Sequence, residues 1–126
     1  MNEIAIRRNR LLIPCLILVL VLTLKPSSGN SMNFSIPHLD KIAHFGMFFL
    51  LGINVLYKYE HNKKLLEYLL LCIVLGFNTE ILQDFIPGRS LDFYDALADT
   101  LGIIIAYYIY KMMAIFIQKT LKKLGA

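Results

Sequence analysis

The stretch LLEYLLLCIVLGFNTEILQDFIPGRSLDFYDALADTLGIIIAYYIY, residues 65–110, decides the fold because it joins two long apolar runs through a short polar seam. Each run, with its flanking residues, approaches the ~20 residues that an α-helix needs to cross a lipid bilayer. The Pro87-Gly88 pair within the seam is typical of a tight turn. The sequence therefore predicts a hairpin of two membrane-spanning helices, over about 65–85 and 93–117.

Two further apolar runs precede this hairpin. The nearer one predicts a span over about 40–58. The first, LLIPCLILVLVLTL (11–24), is short and follows RRNR, which resembles a signal peptide, but no clear small-x-small cleavage site follows it. We therefore predict a retained first span over about 11–26. Short connections make successive helices antiparallel, so the chain, 1–126, is expected to form one all-α domain, an up-down four-helix membrane bundle.

The composition agrees with a membrane protein. The 126 residues are 57% hydrophobic, whereas soluble domains are about 45–50% apolar, and so small a domain could not bury this much apolar surface in water. The net charge of +4 does not indicate nucleic acid, because the basic residues flank apolar runs and form no stripe with aromatic residues. Cys15 and Cys72 lie within apolar runs and are interpreted as small core residues.

The basic residues also predict the orientation. Ten of the chain's 13 lysine and arginine residues would lie on one side of the membrane, and Lys25, Lys41 and Arg89 would lie on the other. The positive-inside rule then places both termini in the cytoplasm. The ten are Arg7, Arg8, Arg10, Lys58, Lys63, Lys64, Lys111, Lys119, Lys122 and Lys123.

The opposite, outer end gathers most of the ionisable groups. Helical spacing puts Asp40 and His44 on one face of the second span. In the fourth span, acidic and then small residues recur at intervals of three and four and make one stripe that is expected to face the bundle. The stripe is Asp92, Asp95, Asp99, Gly102 and Ala106. Together these patterns predict a polar cleft open to the outside. Its candidate residues are Asp40, Lys41, His44, Glu80, Gln83, Asp84, Arg89, Ser90, Asp92, Asp95 and Asp99.

The candidate residues differ in whether a functional role is needed to explain them. Asp40, Asp84 and Asp92 lie at the membrane boundary, where capping of helix ends or exposure to water explains them as well as a function does. His44, Glu80 and Asp99 lie about one turn deeper. An ionisable group there costs a few kcal/mol, which favours a functional role over a purely interhelical hydrogen bond.

The segments DKIAHFGMFFLLG (40–52) and TEILQDFIPGRSLDFYDALADTLG (79–102) resemble the VanZ-like family of small bacterial membrane proteins. The resemblance covers about residues 10–115. It implies four membrane spans and a link to low-level resistance to teicoplanin, a lipoglycopeptide that acts on the cell wall. The family usually has asparagine at the position of Asp99. By position, its polar set corresponds here to Asp40, Lys41, His44, Glu80, Gln83, Arg89, Asp92 and Asp95.

Three hypotheses follow for the cleft. In the first, it binds or modifies an anionic lipid or lipid-linked cell-wall intermediate, with Arg89 and Lys41 holding the anion; Asp40, Gln83, Asp92, Asp95 and Asp99 complete the binding set. Glu80 and His44 would then be the acid and base of any reaction. In the second, the cleft holds a divalent metal for phosphoryl or prenyl transfer, with ligands drawn from Glu80, Asp84, Asp92, Asp95, Asp99 and His44. In the third, the charges form only a structural network.

No common catalytic or cofactor motif decides between these hypotheses. The sequence lacks a P-loop, a dinucleotide fingerprint and a serine or cysteine nucleophile motif. No cofactor is therefore assigned, with a divalent metal left open, and enzymatic activity is left undecided. The expected location is the bacterial cytoplasmic membrane, with membrane lipids or lipid-linked intermediates as partners. Assembly into an oligomer also stays open.

Overall fold

The polypeptide forms four α-helices joined by short connections. The computed structural model describes residues 3–25 and 38–125, with side chains described from Leu11 onward. The helices are α1 (Glu3–Thr23), α2 (Leu39–Tyr59), α3 (Leu65–Gln83) and α4 (Phe93–Lys123), and the described ranges contain no strand. The prediction of an all-α protein is confirmed.

Three of the helices, α2, α3 and α4, are long and apolar enough to cross a membrane. Their outer faces carry large apolar side chains that are more than half exposed, among them Leu71, Val74 and Phe116. Water would penalise such a surface, whereas lipid matches it. The chain is therefore a multi-pass membrane protein. The apolar part of α1 covers only Leu11–Thr23, and a fourth span through α1 stays a prediction.

The helix ends differ from the predicted spans by a few residues. α3 ends at Gln83, two residues before the predicted boundary, and Asp84 is its C-cap. α4 continues six residues beyond the predicted boundary and has Lys122 and Lys123 in its last turn, where positive charge interacts favourably with the helix dipole. The predicted first span reaches residue 26, which lies outside the described residues.

The predicted turn between α3 and α4 is present. The amide of Arg89 donates to the carbonyl of Ile86 at 3.1 Å, with Pro87 and Gly88 between them. Gly88 has φ +79°, which is the conformation that the third residue of a type II turn requires and that glycine adopts without strain. Asp92 then caps α4, because its side chain accepts a hydrogen bond from the amide of Tyr94.

The most extensive interhelical interface joins α2 and α4, while α1 packs on α2 and α3. Contacts between α2 and α4 link His44 to Asp99 at one end and Glu60 to Tyr110 at the other, so these two helices run in the same direction. Their backbones meet at Gly102, where an added Cβ would lie 2.5 Å from the carbonyl oxygen of Phe45. The small residues of the predicted stripe therefore serve a close helix–helix approach.

Candidate functional site

Polar side chains from α2, α3 and α4 meet at one end of the bundle and extend from its surface into its interior. The side chains of Lys41 and Asp92 are 31% and 37% exposed. Those of Glu80, Asp95 and Asp99 are nearly or completely buried. The structure thus brings together residues that lie up to about 60 positions apart in the sequence.

The outer part of this cluster is an ion pair shared by three side chains. Lys41 Nζ lies 2.7 Å from Asp92 Oδ2 and 3.1 Å from Asp95 Oδ1. The hydrogen bond from Lys41, together with that from the amide of Tyr94, lowers the pKa of the Asp92 carboxyl below its ordinary value. The start of α2 is thereby tied to the start of α4.

The inner part is centred on the imidazole of His44. Its Nδ1 lies 3.0 Å from Asp99 Oδ1 and 3.6 Å from Glu80 Oε1, and its Nε2 lies 4.0 Å from Asp95 Oδ2. The amide of Asp92 donates to Glu80 Oε2 at 3.3 Å. A buried histidine is therefore surrounded by three carboxyl groups, all within helices that are apolar enough to span a membrane.

Two buried carboxylate oxygens in this inner group lack a hydrogen-bond donor. Among the described residues, neither Glu80 Oε1 nor Asp99 Oδ2 has a hydrogen-bond partner. The great majority of buried polar atoms in proteins do have one. Gly76 lies against Asp99, and an added Cβ there would be 3.1 Å from Asp99 Oδ2. Sequence reasoning missed Gly76, although its position one helical turn before Glu80 on α3 was a usable signal.

A cleft of about 320 Å³ opens beside the outer part of the cluster. Arg89 lies in its wall, and the Arg89 Nε donates to the carbonyl oxygen of Lys25 at 3.1 Å. Within residues 11–25 and 38–125, Arg89 forms no ion pair within 4.0 Å. The lining residues are Asp40, Gln83, Gly88, Arg89, Ser90, Asp92 and Asp95.

Two of the candidate residues have structural contacts that the sequence did not indicate. Gln83 is buried, and its Nε2 donates to the carbonyl oxygen of Thr23 at 2.7 Å, which ties α3 to the end of α1. Thr23 was not among the candidates, because nothing in an apolar run marks a carbonyl as an acceptor. Asp84 is exposed and accepts a hydrogen bond from the amide of Leu91 at 3.3 Å, so it belongs to the connection between α3 and α4 and not to the buried group.

Two overlapping sets of side chains could hold a metal ion. One set is His44, Glu80 and Asp99, all buried, and the other is His44, Asp95 and the exposed Asp40. Within each set, one potential ligand atom per residue lies within 4.8 Å of the others. The same imidazole between carboxylates could instead transfer protons, as a general acid or base does.

Together, the fold and this cluster define a small multi-pass helical membrane protein with a buried charged site at one end. Comparison with known families is consistent with that class and specifies it: the VanZ/LLP1 family model matches residues 5–116, and the chain belongs to this family.

Among curated proteins, an uncharacterized protein of Schizosaccharomyces pombe is 30% identical to the chain over 93 residues. The match covers 71% of this chain and 57% of that protein's length. Related sequences are therefore not confined to bacteria, which corrects the narrower expectation from the resemblance. No solved structure matches the chain.

Proposed function

We propose that this VanZ-family protein binds the anionic headgroup of a membrane lipid, or of a lipid-linked cell-envelope component, in the cleft beside Arg89. The observation that carries this proposal is a guanidinium in the cleft wall that pairs with no carboxylate among the described residues. Lys41, the other candidate for anion binding, already bridges Asp92 and Asp95. Arg89 is therefore the main anion-binding group, and Lys41 offsets the acidic charge beside it.

The position of the cleft at the helix ends, relative to the membrane, supports a lipid ligand. Its lining residues come from the start of α2, the end of α3, the 84–92 connection and the start of α4. Those ends lie at the membrane boundary, where phosphate groups of lipids also lie. The planar guanidinium can hold a phosphate through two parallel hydrogen bonds. By the charge distribution of the sequence, this boundary faces the outside of the cell.

The carboxylate of Asp40 adds a preference among headgroups. Asp40 is exposed and lines the same cleft as Arg89. A headgroup that carries an amine beside its phosphate would therefore contact charges of opposite sign at both positions, whereas a purely anionic headgroup would contact only Arg89 favourably. We expect tighter binding of an aminophospholipid than of a phosphatidylglycerol of the same chain length.

A second candidate function is modification of the bound lipid. His44 is buried 3.0 Å from Asp99 and 3.6 Å from Glu80, and this group adjoins the cleft through Asp95. Such a group could remove or supply a proton during a reaction at the headgroup. Turnover of the lipid that is lost in His44→Gln while the lipid still binds, and that is kept in Lys63→Ala, would establish this function over binding alone.

A role in resistance to teicoplanin-type lipoglycopeptides would follow from either function. These drugs act on the cell wall outside the membrane, where the cleft is predicted to open. A protein that binds or alters a lipid-linked cell-wall component there would change how much of that component is accessible to the drug. Strains that carry Arg89→Ala would then lose any protection that the wild-type protein gives.

Native mass spectrometry of the detergent-purified protein tests lipid binding. We expect a co-purifying phospholipid or polyprenyl phosphate on the wild type, substantial loss of it in Arg89→Ala, and partial retention in Arg89→Lys, which keeps the charge without the planar fork. Lys63→Ala, at the other end of the bundle, is the matched control for loss of one positive charge. Equal lipid content in Arg89→Ala and Lys63→Ala would refute the proposal.

A further inference from the structure

The two unpartnered oxygens of the inner cluster point toward a positively charged ligand. Glu80 is 2% exposed and Asp99 is fully buried, yet Glu80 Oε1 and Asp99 Oδ2 receive no hydrogen bond within the described residues. Both carboxyl groups also adjoin Nδ1 of His44. We propose that one divalent transition-metal ion binds here, held by His44 Nδ1 and by the carboxylates of Glu80 and Asp99.

The spacing of the three groups fits a shared metal ion. Ligand atoms bound at about 2.1 Å from one metal lie about 3.0 Å apart at a right angle and about 3.4 Å apart at the tetrahedral angle. The observed distances from His44 Nδ1 are 3.0 Å to Asp99 Oδ1 and 3.6 Å to Glu80 Oε1. These two distances lie near the values for one shared ion, and the potential ligand atoms of Glu80 and Asp99 lie within 4.8 Å of each other. An ion would replace the hydrogen bond between His44 and Asp99 and draw the three groups together.

The balance of charge favours a dication at this position. Three carboxyl groups, those of Glu80, Asp95 and Asp99, surround His44, and Lys41 is the one other basic side chain that pairs with any of them among the described residues. Uncompensated charge within a membrane span is costly. A dication bound by two carboxylates and a neutral imidazole removes the charge of the innermost pair.

Neighbouring groups favour the orientation that metal binding needs at Glu80 and His44. The amide of Asp92 binds Glu80 Oε2 and leaves Oε1 for the ion. When Nδ1 of His44 binds metal, the imidazole proton is on Nε2, and Asp95 Oδ2, which lies 4.0 Å away, accepts it after approaching by about 1 Å. Asp95 is itself held by Lys41. A carboxylate facing the free nitrogen of a ligating histidine is the usual arrangement around protein metal sites.

The alternative set, with Asp40, is less suitable. Asp40 is exposed, and Asp95 already accepts a hydrogen bond from Lys41. The set of one imidazole nitrogen and carboxylate oxygens indicates Zn²⁺ or Mn²⁺, because Mg²⁺ and Ca²⁺ prefer oxygen ligands alone. This inference is independent of lipid binding at Arg89, since the metal ligands do not include any part of that side chain.

Metal binding by the full-length protein in detergent tests the inference. The protein is stripped with EDTA and titrated with Zn²⁺ or Mn²⁺ in competition with a chromophoric chelator, and bound metal is counted by mass spectrometry. We expect one equivalent per chain in the wild type and in Asp84→Asn, which removes a nearby exposed acid. Glu80→Gln and Asp99→Asn should bind at least about tenfold more weakly. Arg89→Ala should bind as the wild type does, which separates this test from that of the lipid site.

X-ray absorption spectroscopy of the metal-loaded wild type provides a test that needs no variant to fold. We expect one imidazole nitrogen and otherwise oxygen ligands around the ion. Three results would each overturn the inference: no saturable binding by the wild type, an unchanged affinity in a folded Glu80→Gln protein, or a cysteine sulfur in the coordination sphere.

Discussion

Asp92 illustrates how one side chain joins helix capping to an ion pair. Its two oxygens accept hydrogen bonds from Lys41 Nζ and from the amide of Tyr94, and its pKa is lower in the folded protein than its ordinary value. A carboxyl group with a lowered pKa stabilises the fold above its unfolded-state pKa, and this contribution is lost as the pH falls through the folded-state pKa. We therefore expect the melting temperature of the wild type to fall below about pH 4 more steeply than that of Asp92→Asn.

Asparagine is a suitable replacement because it also caps helices well, so that the variant loses the charge and keeps the cap. Melting in detergent followed by circular dichroism from pH 3 to pH 7 measures the difference. The exposed Asp84, changed to asparagine, is the control and should leave the acid dependence unchanged. Identical pH profiles for Asp92→Asn and the wild type would contradict the expectation.

Gln83 gives a second prediction at the scale of single residues. Its Nε2 satisfies the carbonyl of Thr23 at 2.7 Å in a buried environment. We expect Gln83→Leu to lower the free energy of unfolding by about 1–3 kcal/mol, because a buried carbonyl then loses its donor. Reversible unfolding in mixed micelles measures this change. The exposed Gln118, changed to leucine, should have little effect. A comparable loss in both variants would show that the contact with α1 is unimportant.

At the scale of helices, the closest contact is that of α4 with α2. An added methyl group at Gly102 would meet the carbonyl oxygen of Phe45 at 2.5 Å and the amide nitrogen of Phe49 at 2.9 Å. Backbone atoms cannot rotate away, so the helices would have to separate. We expect Gly102→Ala to cost about 1–3 kcal/mol of stability, as overpacking of a close interface typically does.

Gly46 supplies the matched control for this substitution. It lies on α2, and nothing approaches an added Cβ within 4 Å. Alanine has the higher helix propensity, so Gly46→Ala should leave stability unchanged or raise it by up to about 1 kcal/mol. Unfolding of both variants in the same micelles makes the comparison. A Gly102→Ala protein as stable as Gly46→Ala would mean that the two helices are not in backbone contact.

Much of the helix arrangement could be predicted because it depends on periodicity and on turn chemistry. The three- and four-residue spacing from Asp92 to Ala106 identified the buried face of α4, and Pro87-Gly88 identified the turn. The contacts of individual side chains could not be predicted in the same way. Whether Arg89 faces an acid or the Lys25 carbonyl depends on the path of the connecting loop, which periodicity does not specify.

In the interior of the site, too, the buried faces could be predicted from the sequence and the individual contacts could not. Spacing indicated that Asp99 would face the bundle, and it does; Glu80, a candidate by its depth in the span, is buried there as well. The position of α3 along the axis of α4 determines which of their residues are in contact. It brings Gly76 against Asp99, while Glu80 Oε1 receives no hydrogen bond among the described residues. That position follows from the packing of all the helices together. Sequence patterns on one helix at a time do not contain it.

At the scale of the whole molecule, the orientation in the membrane is a prediction that labelling can test. The distribution of basic residues predicts that the connection between α2 and α3 lies in the cytoplasm and that the one between α3 and α4 lies outside. Asn62→Cys and Ser90→Cys, both at exposed positions, would be compared in a protein with Cys15→Ser and Cys72→Ala. An impermeant maleimide added to intact cells should label position 90 alone and reach position 62 only after permeabilisation. The reverse pattern would invert the topology.

The backbone contact at Gly102 also bears on how the protein can move. It joins α2 and α4 without an intervening side chain, so the helices that carry His44 and Asp99 should behave as one rigid body. Glu80 lies on α3, which packs less extensively on α2 and α4 than these two helices pack on each other, and α1 packs mainly on α2. α3 meets the α2–α4 pair at the buried cluster, through Glu80 and His44, and is joined to α4 by the 84–92 connection. We therefore expect a ligand that enters from the cleft to change first the distance between Glu80 on α3 and His44 on α2.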